Sequence, residues 1–119
     1  MRLWFGIKTD QDRLEGSVMA RPARRPSDSR PSPVITVLID LPANHRYHVA
    51  TIAALDHASG SLKVPIEVHV VPTDMIDRRL IGDPGAAVVV GPGSPYRNPE
   101  GALGVIRSAR ERGIPLVGT

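Results

Sequence analysis

Short apolar runs rich in β-branched residues recur along the chain, each closed by glycine, proline or aspartate. The runs lie at residues 34–39, 66–71, 86–90 and 115–118. The first is apolar at successive positions, as expected for a parallel strand whose two faces are both covered. The second is bounded by Pro65 and Pro72, which mark its ends. The pattern therefore predicts four strands.

A helix is predicted between the first two runs, over residues 45–59. Asn44 is the predicted N-cap and Gly60 the predicted C-terminal stop. Apolar residues at helical spacing define the inner face. They are Tyr47 or His48, Ile52, Leu55 and Ala58.

A second helix is predicted between the last two runs. Asn98 is its expected N-cap, Pro99 its first-turn residue and Gly113 its C′ residue. Leu103, Ile106 and Ala109 or Arg110 are expected on the inner face. Residues 73–80 predict a short helical or irregular connection. This alternation of strands and helices predicts an α/β fold with a doubly wound, flavodoxin-like parallel sheet.

Residues 1–33 differ in composition from the rest of the 119-residue chain, because proline, serine and arginine alternate there. Such a segment buries too little apolar surface to offset its ordering entropy, so we expect a disordered extension before a domain at 34–119. Much of the basic excess behind the net charge of +3 also lies there, and we expect no nucleic-acid partner. An RNA- or partner-binding arm is the alternative interpretation of the extension.

Other classes of protein fit the composition poorly. No apolar run approaches the roughly 20 residues of a membrane span, and no signal-peptide core begins the chain, so we expect a cytoplasmic protein without a membrane partner. Cysteine is absent, which excludes disulfides and thiolate metal sites within these residues. We expect no cofactor and no metal.

Residues 34–58, 64–74 and 86–119 resemble the class I glutamine amidotransferases, in particular the glutaminase domain of CTP synthase and its stand-alone relatives. The residues that carry the resemblance are Gly-Pro-Gly-Ser-Pro-Tyr at 91–96, after the third run, and Ala-Arg-Glu-Arg-Gly-Ile-Pro-Leu-Val-Gly at 109–118. The resemblance implies an enzyme that hydrolyses glutamine and passes ammonia to a synthase domain or subunit, as in pyrimidine nucleotide synthesis.

The resemblance also implies a role for the loop at 91–96. Gly93 and Ser94 would supply one side of an oxyanion hole. Gly91 is a candidate substrate-binding residue. Arg97 is another, because a forked guanidinium can bind a substrate carboxylate; the alternative is that Arg97 is an exposed charge of the loop. The CTP synthases have a second glycine where this chain has Ser94.

In the family, the nucleophilic cysteine follows the glycine matched by Gly118 within about two residues, at a strand-to-helix elbow. The sequence stops at Thr119, so we expect that these residues form the N-terminal half of the domain, without a nucleophile and without activity alone. Some stand-alone relatives are selenoproteins, and a UGA codon after Thr119 would give the same ending as a truncation. The sequence leaves both explanations open.

The histidines are not expected to form a metal or catalytic site, and an alternative to the enzyme remains open. His45, His48 and His57 are expected at the surface or at the helix entry, and His69 as a packed or capping residue, because no convergent ligand set accompanies them. The alternative to the enzyme is a small flavodoxin-like or receiver-like binding module. Asp40 follows the first strand as in a receiver, but no second carboxylate stands beside it.

Overall fold

The computed structural model describes residues 2–4 and 31–119. Five strands and three α-helices follow one another in these residues, with a single 3₁₀ turn at Thr73–Met75. The elements are β1 (Arg2–Trp4), β2 (Val34–Leu38), α1 (Arg46–Leu62), β3 (Glu67–Val71), α2 (Arg78–Gly82), β4 (Ala87–Val90), α3 (Pro99–Glu111) and β5 (Leu116–Gly118).

All strands are parallel and form one sheet in the order β1-β3-β2-β4-β5. From β2 onward the chain first adds β3 on one side and then β4 and β5 on the other. The four strands counted from Val34 are therefore in the order 2-1-3-4, which is compatible with a flavodoxin-like sheet. The predictions of an α/β class and of these four parallel strands are confirmed.

Alternating residues of the strands supply two apolar clusters, one on each face of the sheet. Val37, Val68 and Val70 are buried on the face covered by α1. Leu38, Val88 and Val90 are buried on the face covered by α3. Because both faces are covered, nearly continuous apolar runs are required in the central strands, and the sequence has them.

Helix α3 packs closely on the sheet through small residues. Ala102, Val105 and Ala109 are buried, whereas Leu103 is 59% exposed. The prediction that Leu103 lies on the inner face was wrong, because the buried face is centred on residues 102, 105 and 109; of the other predicted residues, Ala109 is buried and Ile106 packs against the same cluster. The predicted cap was right: the Asn98 side chain accepts from the N–H of Gly101.

Helix α1 differs from its prediction at both ends. The N-cap is His45, whose Nδ1 accepts from the N–H of Tyr47, and not Asn44. The helix passes through Gly60 and ends at Leu62, followed by Lys63 in the left-handed conformation with φ of 55°. Gly60 is therefore an exposed helical residue and not the stop.

A short strand replaces part of the predicted disorder. β1 pairs in parallel with β3 at the sheet edge, with Leu3 opposite Val68. Pro33 also belongs to the ordered region, since its carbonyl accepts from the N–H of Glu67. Arg2–Trp4 thus form a strand within the segment predicted to be a disordered extension, and residues 1 and 5–30 of that segment lie outside the described residues.

Candidate functional site

The order in which the chain adds strands to the sheet reverses between β2 and β4, and the carboxyl ends of these two strands form the topological switch point. β2 lies between β3 and β4, so the segments that follow these two neighbours leave the sheet on opposite sides of the segment after β2. In open α/β sheets, ligands bind in the crevice at this switch point. The segments after Leu38, Val71 and Val90 are therefore the place to look for a site.

Asp40 joins the three segments that follow β2, β3 and β4. Its Oδ1 accepts from the N–H of Thr73 at 2.6 Å, and its Oδ2 accepts from the Thr73 hydroxyl at 2.7 Å and from the N–H of Arg97 at 2.8 Å. Both carboxylate oxygens are thus engaged by the protein. One side chain ties together the loops after three adjacent strands.

Asn98 completes this hydrogen-bonded cluster. Its N–H donates to the Thr73 hydroxyl oxygen at 2.9 Å, and its side-chain nitrogen donates to the Thr73 carbonyl at 3.2 Å. Thr73 is fully buried, so each of its polar atoms needs such a partner. The start of α3 is therefore attached to the end of β3.

The pKa of Asp40 is lowered from its ordinary value by this environment. Burial alone would raise it, because burial disfavours the charged form. Hydrogen bonds from the N–H groups of Arg97 and Thr73 and from the Thr73 hydroxyl outweigh the burial, and the positive charge of Arg97 acts in the same direction. The Asp40 carboxylate is therefore held in its charged form.

The Gly93 loop, residues 91–96, follows β4. Gly93 has φ of +114°, and a Cβ on it would lie 2.7 Å from Cγ of Leu41. Ser94 is not among the residues with positive φ, and the Ser94–Pro95 bond is cis. The difference from the second glycine of the family therefore requires no left-handed torsion at Ser94.

The N–H groups of Gly93 and Ser94 make no hydrogen bond to any residue that the structure describes. Gly91 is different, because its N–H donates to the Leu38 carbonyl at 2.8 Å and its carbonyl accepts from the Tyr96 hydroxyl at 2.7 Å. The N–H groups of Gly93, Ser94 and Tyr96 are thus the free donors of the Gly93 loop within the described part of the chain, while Gly91 fixes the loop to the sheet.

The end of β5 lies beside the Gly93 loop. Val90 pairs with Gly118, and the N–H of Thr119 donates to the Val90 carbonyl at 3.0 Å. Val90 immediately precedes the Gly93 loop. The free N–H donors of that loop and the carboxyl end of β5 therefore lie at the same edge of the sheet.

The backbone of Arg97 is hydrogen-bonded to Asp40, whereas its guanidinium is exposed. Its N–H is held by Asp40, while its Nη1 lies 3.6 Å from Oδ2 of Asp74. The Arg97 side chain is 60% exposed. An exposed ion pair of this kind contributes little stability, so the guanidinium can exchange Asp74 for a ligand carboxylate.

An open cleft of about 950 Å³ lies at the carboxyl ends of β2 and β3. Ile39, Leu41 and Val70 line it from the sheet side, and Met75 and Leu80 from the segment that follows β3. Arg97 borders it, but Gly91, Gly93 and Ser94 do not. The predicted substrate-binding arginine therefore lines the cleft, whereas the predicted oxyanion donors do not line it, although Leu41 of the cleft wall lies against Gly93.

The histidines do not form a metal site. His48 is only 4% exposed and lies in the first turn of α1, which agrees with its predicted place at the helix entry and on the inner face and excludes the surface alternative. Its Nδ1 lies 2.9 Å from the Leu41 carbonyl, and its Nε2 has no partner in the described part of the chain. Since a carbonyl can only accept, Nδ1 carries the proton. His69 contacts Glu67 at 2.9 Å. Across residues 2–4 and 31–119, no three histidine, aspartate or glutamate side chains lie close enough to hold a metal ion.

Sequence reasoning missed the cluster of Asp40, Thr73 and Asn98. A signal for it was present, because each of these polar residues comes shortly after a strand, and the carboxyl ends of parallel strands meet at one edge.

The chain matches no known protein family, no curated protein and no solved structure. Of the helices described, none is long and apolar enough to cross a membrane.

Proposed function

We propose that these residues are the N-terminal part of a CTP-synthase-like glutamine amidotransferase domain of flavodoxin-like fold. The whole domain would hydrolyse glutamine and deliver ammonia to a synthase domain or subunit. A nucleophile after Thr119 would attack the carboxamide carbon, ammonia would leave, and water would release glutamate from the covalent intermediate.

The proposal is carried by the pairing of Val90 with Gly118. Because Val90 directly precedes the Gly93 loop, this pairing supports an arrangement in which the unpartnered N–H groups of Gly93 and Ser94 lie near the end of β5. An oxyanion hole for acyl transfer needs two N–H donors that converge on one oxygen close to the nucleophile. Here one donor would come from the Gly93 loop and the other from the residue after the nucleophile.

Two further residues, Arg97 and Asp40, would bind or position the substrate. Arg97 is a candidate for the glutamine α-carboxylate, because its guanidinium is exposed and only weakly paired with Asp74. Asp40 would act as a positioning residue, since it holds the N–H of Arg97. The general base and the nucleophile are not assigned to any residue of this chain.

The decisive experiment measures ammonia release from glutamine by two proteins. The 119-residue chain should release none above buffer, because it has no cysteine. The chain extended through the downstream reading frame, with cysteine or selenocysteine within about two residues of Gly118, should turn over glutamine. Sequencing the codon after Thr119 distinguishes a UGA codon from a truncation. Hydrolysis by the unextended chain would contradict the proposal.

Gly93→Val in the extended protein tests the oxyanion loop. We expect kcat to fall roughly 100-fold, the usual effect of losing one oxyanion donor. Gly113→Val is the matched control, because Gly113 also has positive φ, at 68°, but lies at the end of α3 with nothing within 4 Å of an added Cβ. If both variants lose the same activity, backbone strain and not the donor explains the loss.

The receiver-like form of the alternative has less support. A phosphate-accepting aspartate must present a free carboxylate oxygen, whereas both oxygens of Asp40 already accept hydrogen bonds from Thr73 or Arg97. A binding module of another kind would use the cleft and not Asp40.

A further inference from the structure

The cleft beside β2 and β3 contains a buried hydrogen-bond acceptor without a partner. His48 lines the cleft and is 4% exposed. Its Nδ1 donates to the Leu41 carbonyl, which leaves Nε2 as an acceptor, and Nε2 has no partner in the part of the chain that the structure describes. Buried polar side-chain atoms nearly always have a hydrogen-bond partner, because leaving one unmet is costly. A donor group of a ligand would supply the missing hydrogen bond.

The rim of the same cleft is negatively charged. Four aspartates and two arginines border it, which leaves an excess of two negative charges. Asp77 and Asp83 are exposed at the two ends of α2. Each uses only Oδ1, which accepts from the N–H of Leu80 or of Gly85, so within the described residues both Oδ2 atoms are open to a ligand. Such a rim attracts a cation and disfavours an anion.

The lining between the rim and the sheet is apolar. Ile39 and Val70 line the cleft from the sheet and are buried, whereas Met75 lines it from the segment after β3 and is 58% exposed. Binding sites for small molecules combine an apolar lining with a few polar groups, and their usual volumes include the 950 Å³ found here.

We propose that this cleft binds a small amphipathic amine, an ammonium carried on an apolar body that ends in a neutral N–H or O–H donor. The ammonium lies at the rim with Asp77 and Asp83, the apolar body packs against Met75, and the neutral donor bonds to Nε2 of His48. A neutral donor suits the buried Nε2 better than the ammonium does, because burial of a charge costs far more. It reaches Nε2 through a small shift of side chains in the cleft wall, of the kind that is common on binding.

The probe is tryptamine, whose indole ring supplies the apolar body and a neutral N–H donor. The proposal uses no glutaminase activity, so the 119-residue chain is the protein to test. Methionine occurs only three times in it, at positions 1, 19 and 75, and selective methyl labelling therefore gives a resolvable signal at the cleft. We expect the Met75 methyl signal to shift with tryptamine, at about fivefold higher concentration with neutral indole-3-ethanol, and least with anionic indole-3-propionate. An unmoved Met75 methyl, or an anion that binds as tightly as tryptamine, would overturn the proposal.

The hydrogen bond to His48 is tested by 1-methyltryptamine, which keeps the charge and the ring but lacks the indole N–H. It should bind the parent chain about fivefold more weakly than tryptamine, the usual effect of losing one hydrogen bond. In His48→Phe the two ligands should bind equally. This variant also loses the bond to Leu41, so the comparison on the parent chain is the test that does not depend on how the variant folds. Equal binding of the two ligands to the parent chain would overturn the role of His48.

The rim is tested by combining Asp77→Asn with Asp83→Asn. Asparagine also caps helices, so α2 should be kept. Tryptamine binding should weaken about fivefold and indole-3-ethanol binding should stay unchanged, as expected for the loss of exposed charge pairs. Asp56→Asn combined with Glu111→Gln is the matched control, because both residues are exposed and neither borders the cleft. Equal losses of tryptamine binding in the two double variants would show a general charge effect and overturn the proposed place of the ammonium.

Discussion

The chain contains two βαβ units whose helices are buried to very different extents. In the unit β4-α3-β5, the helix buries Ala102, Val105, Ser108 and Ala109. In the unit β2-α1-β3, the longer helix buries only His48, and Val49 stays 52% exposed. Helical stability in proteins comes mainly from packing of one face. We infer that α3 anchors the sheet next to the Gly93 loop, whereas α1 contributes less.

The largest expected difference between the units comes from one substitution made in both helices. Val105→Ala should lower the free energy of unfolding by about 2 kcal/mol, because it removes two buried methyl groups and leaves a cavity. Val49→Ala should change it by less than about 0.5 kcal/mol, or stabilise the helix slightly through the higher propensity of alanine. Urea unfolding of both variants makes the comparison. Equal losses would show that α1 packs as tightly as α3.

Asp40 connects the two units, so Asp40→Asn tests the connection itself. We expect the free energy of unfolding to fall by about 1–3 kcal/mol, because an amide cannot accept from all three donors of Thr73 and Arg97. Asp56→Asn, on the exposed surface of α1, is the control and should have an effect below about 0.5 kcal/mol. A neutral Asp40→Asn would mean that the units hold together without this cluster.

The change of stability with pH that Asp40 causes should be smaller than the effect of Asp40→Asn on the free energy of unfolding. The folded pKa of Asp40 lies below its unfolded value, so the unfolded chain binds the proton first as the pH falls. The stabilisation from Asp40 is therefore complete above the ordinary Asp range and is lost as the pH falls through the lowered pKa. The urea midpoints of the parent chain and Asp40→Asn should differ at neutral pH and converge as the pH falls below the ordinary Asp range. A gap that stays constant or widens on acidification would contradict this.

The smallest effect is expected at the outer edge of the first unit. Deleting residues 1–4 removes β1 from β3. The N–H of Glu67 points to Pro33, so by alternation the N–H of Val68 faces β1. We expect the Val68 amide to exchange faster with solvent in the deletion variant, while Glu67 is unchanged. Faster exchange at both amides would mean that β1 supports the whole strand.

The strands and the second helix could be predicted because their signals are local. Buried parallel strands need apolar residues on both faces, and the cap formed by Asn98 and the left-handed Gly113 depends on backbone geometry alone. Ala102 and Val105 were missed on the buried face of α3, whereas Ala109 was predicted there. Close approach of a helix to a sheet favours small residues, whereas a hydrophobicity pattern gives more weight to Leu103.

The site could be predicted less well than the fold. The Gly93 loop follows from its glycines and its place after a strand, but the cluster around Asp40 joins residues 33 and 57 positions apart. Its existence depends on strand order, which no local pattern contains. The short strand β1 has the same origin, since its pairing with β3 depends on which strand lies beside it in space.

The contact between Gly93 and Leu41 has an evolutionary consequence. A side chain at 93 would meet the branched carbon of Leu41, and the φ of +114° would strain any other residue even if that space were opened. Substitutions at the two positions are therefore tolerated in one order only. Leu41 can be replaced by a smaller residue while Gly93 is kept, whereas a residue larger than glycine at 93 would clash with Leu41. Lineages descending from this chain should accumulate substitutions at 41 long before any appear at 93.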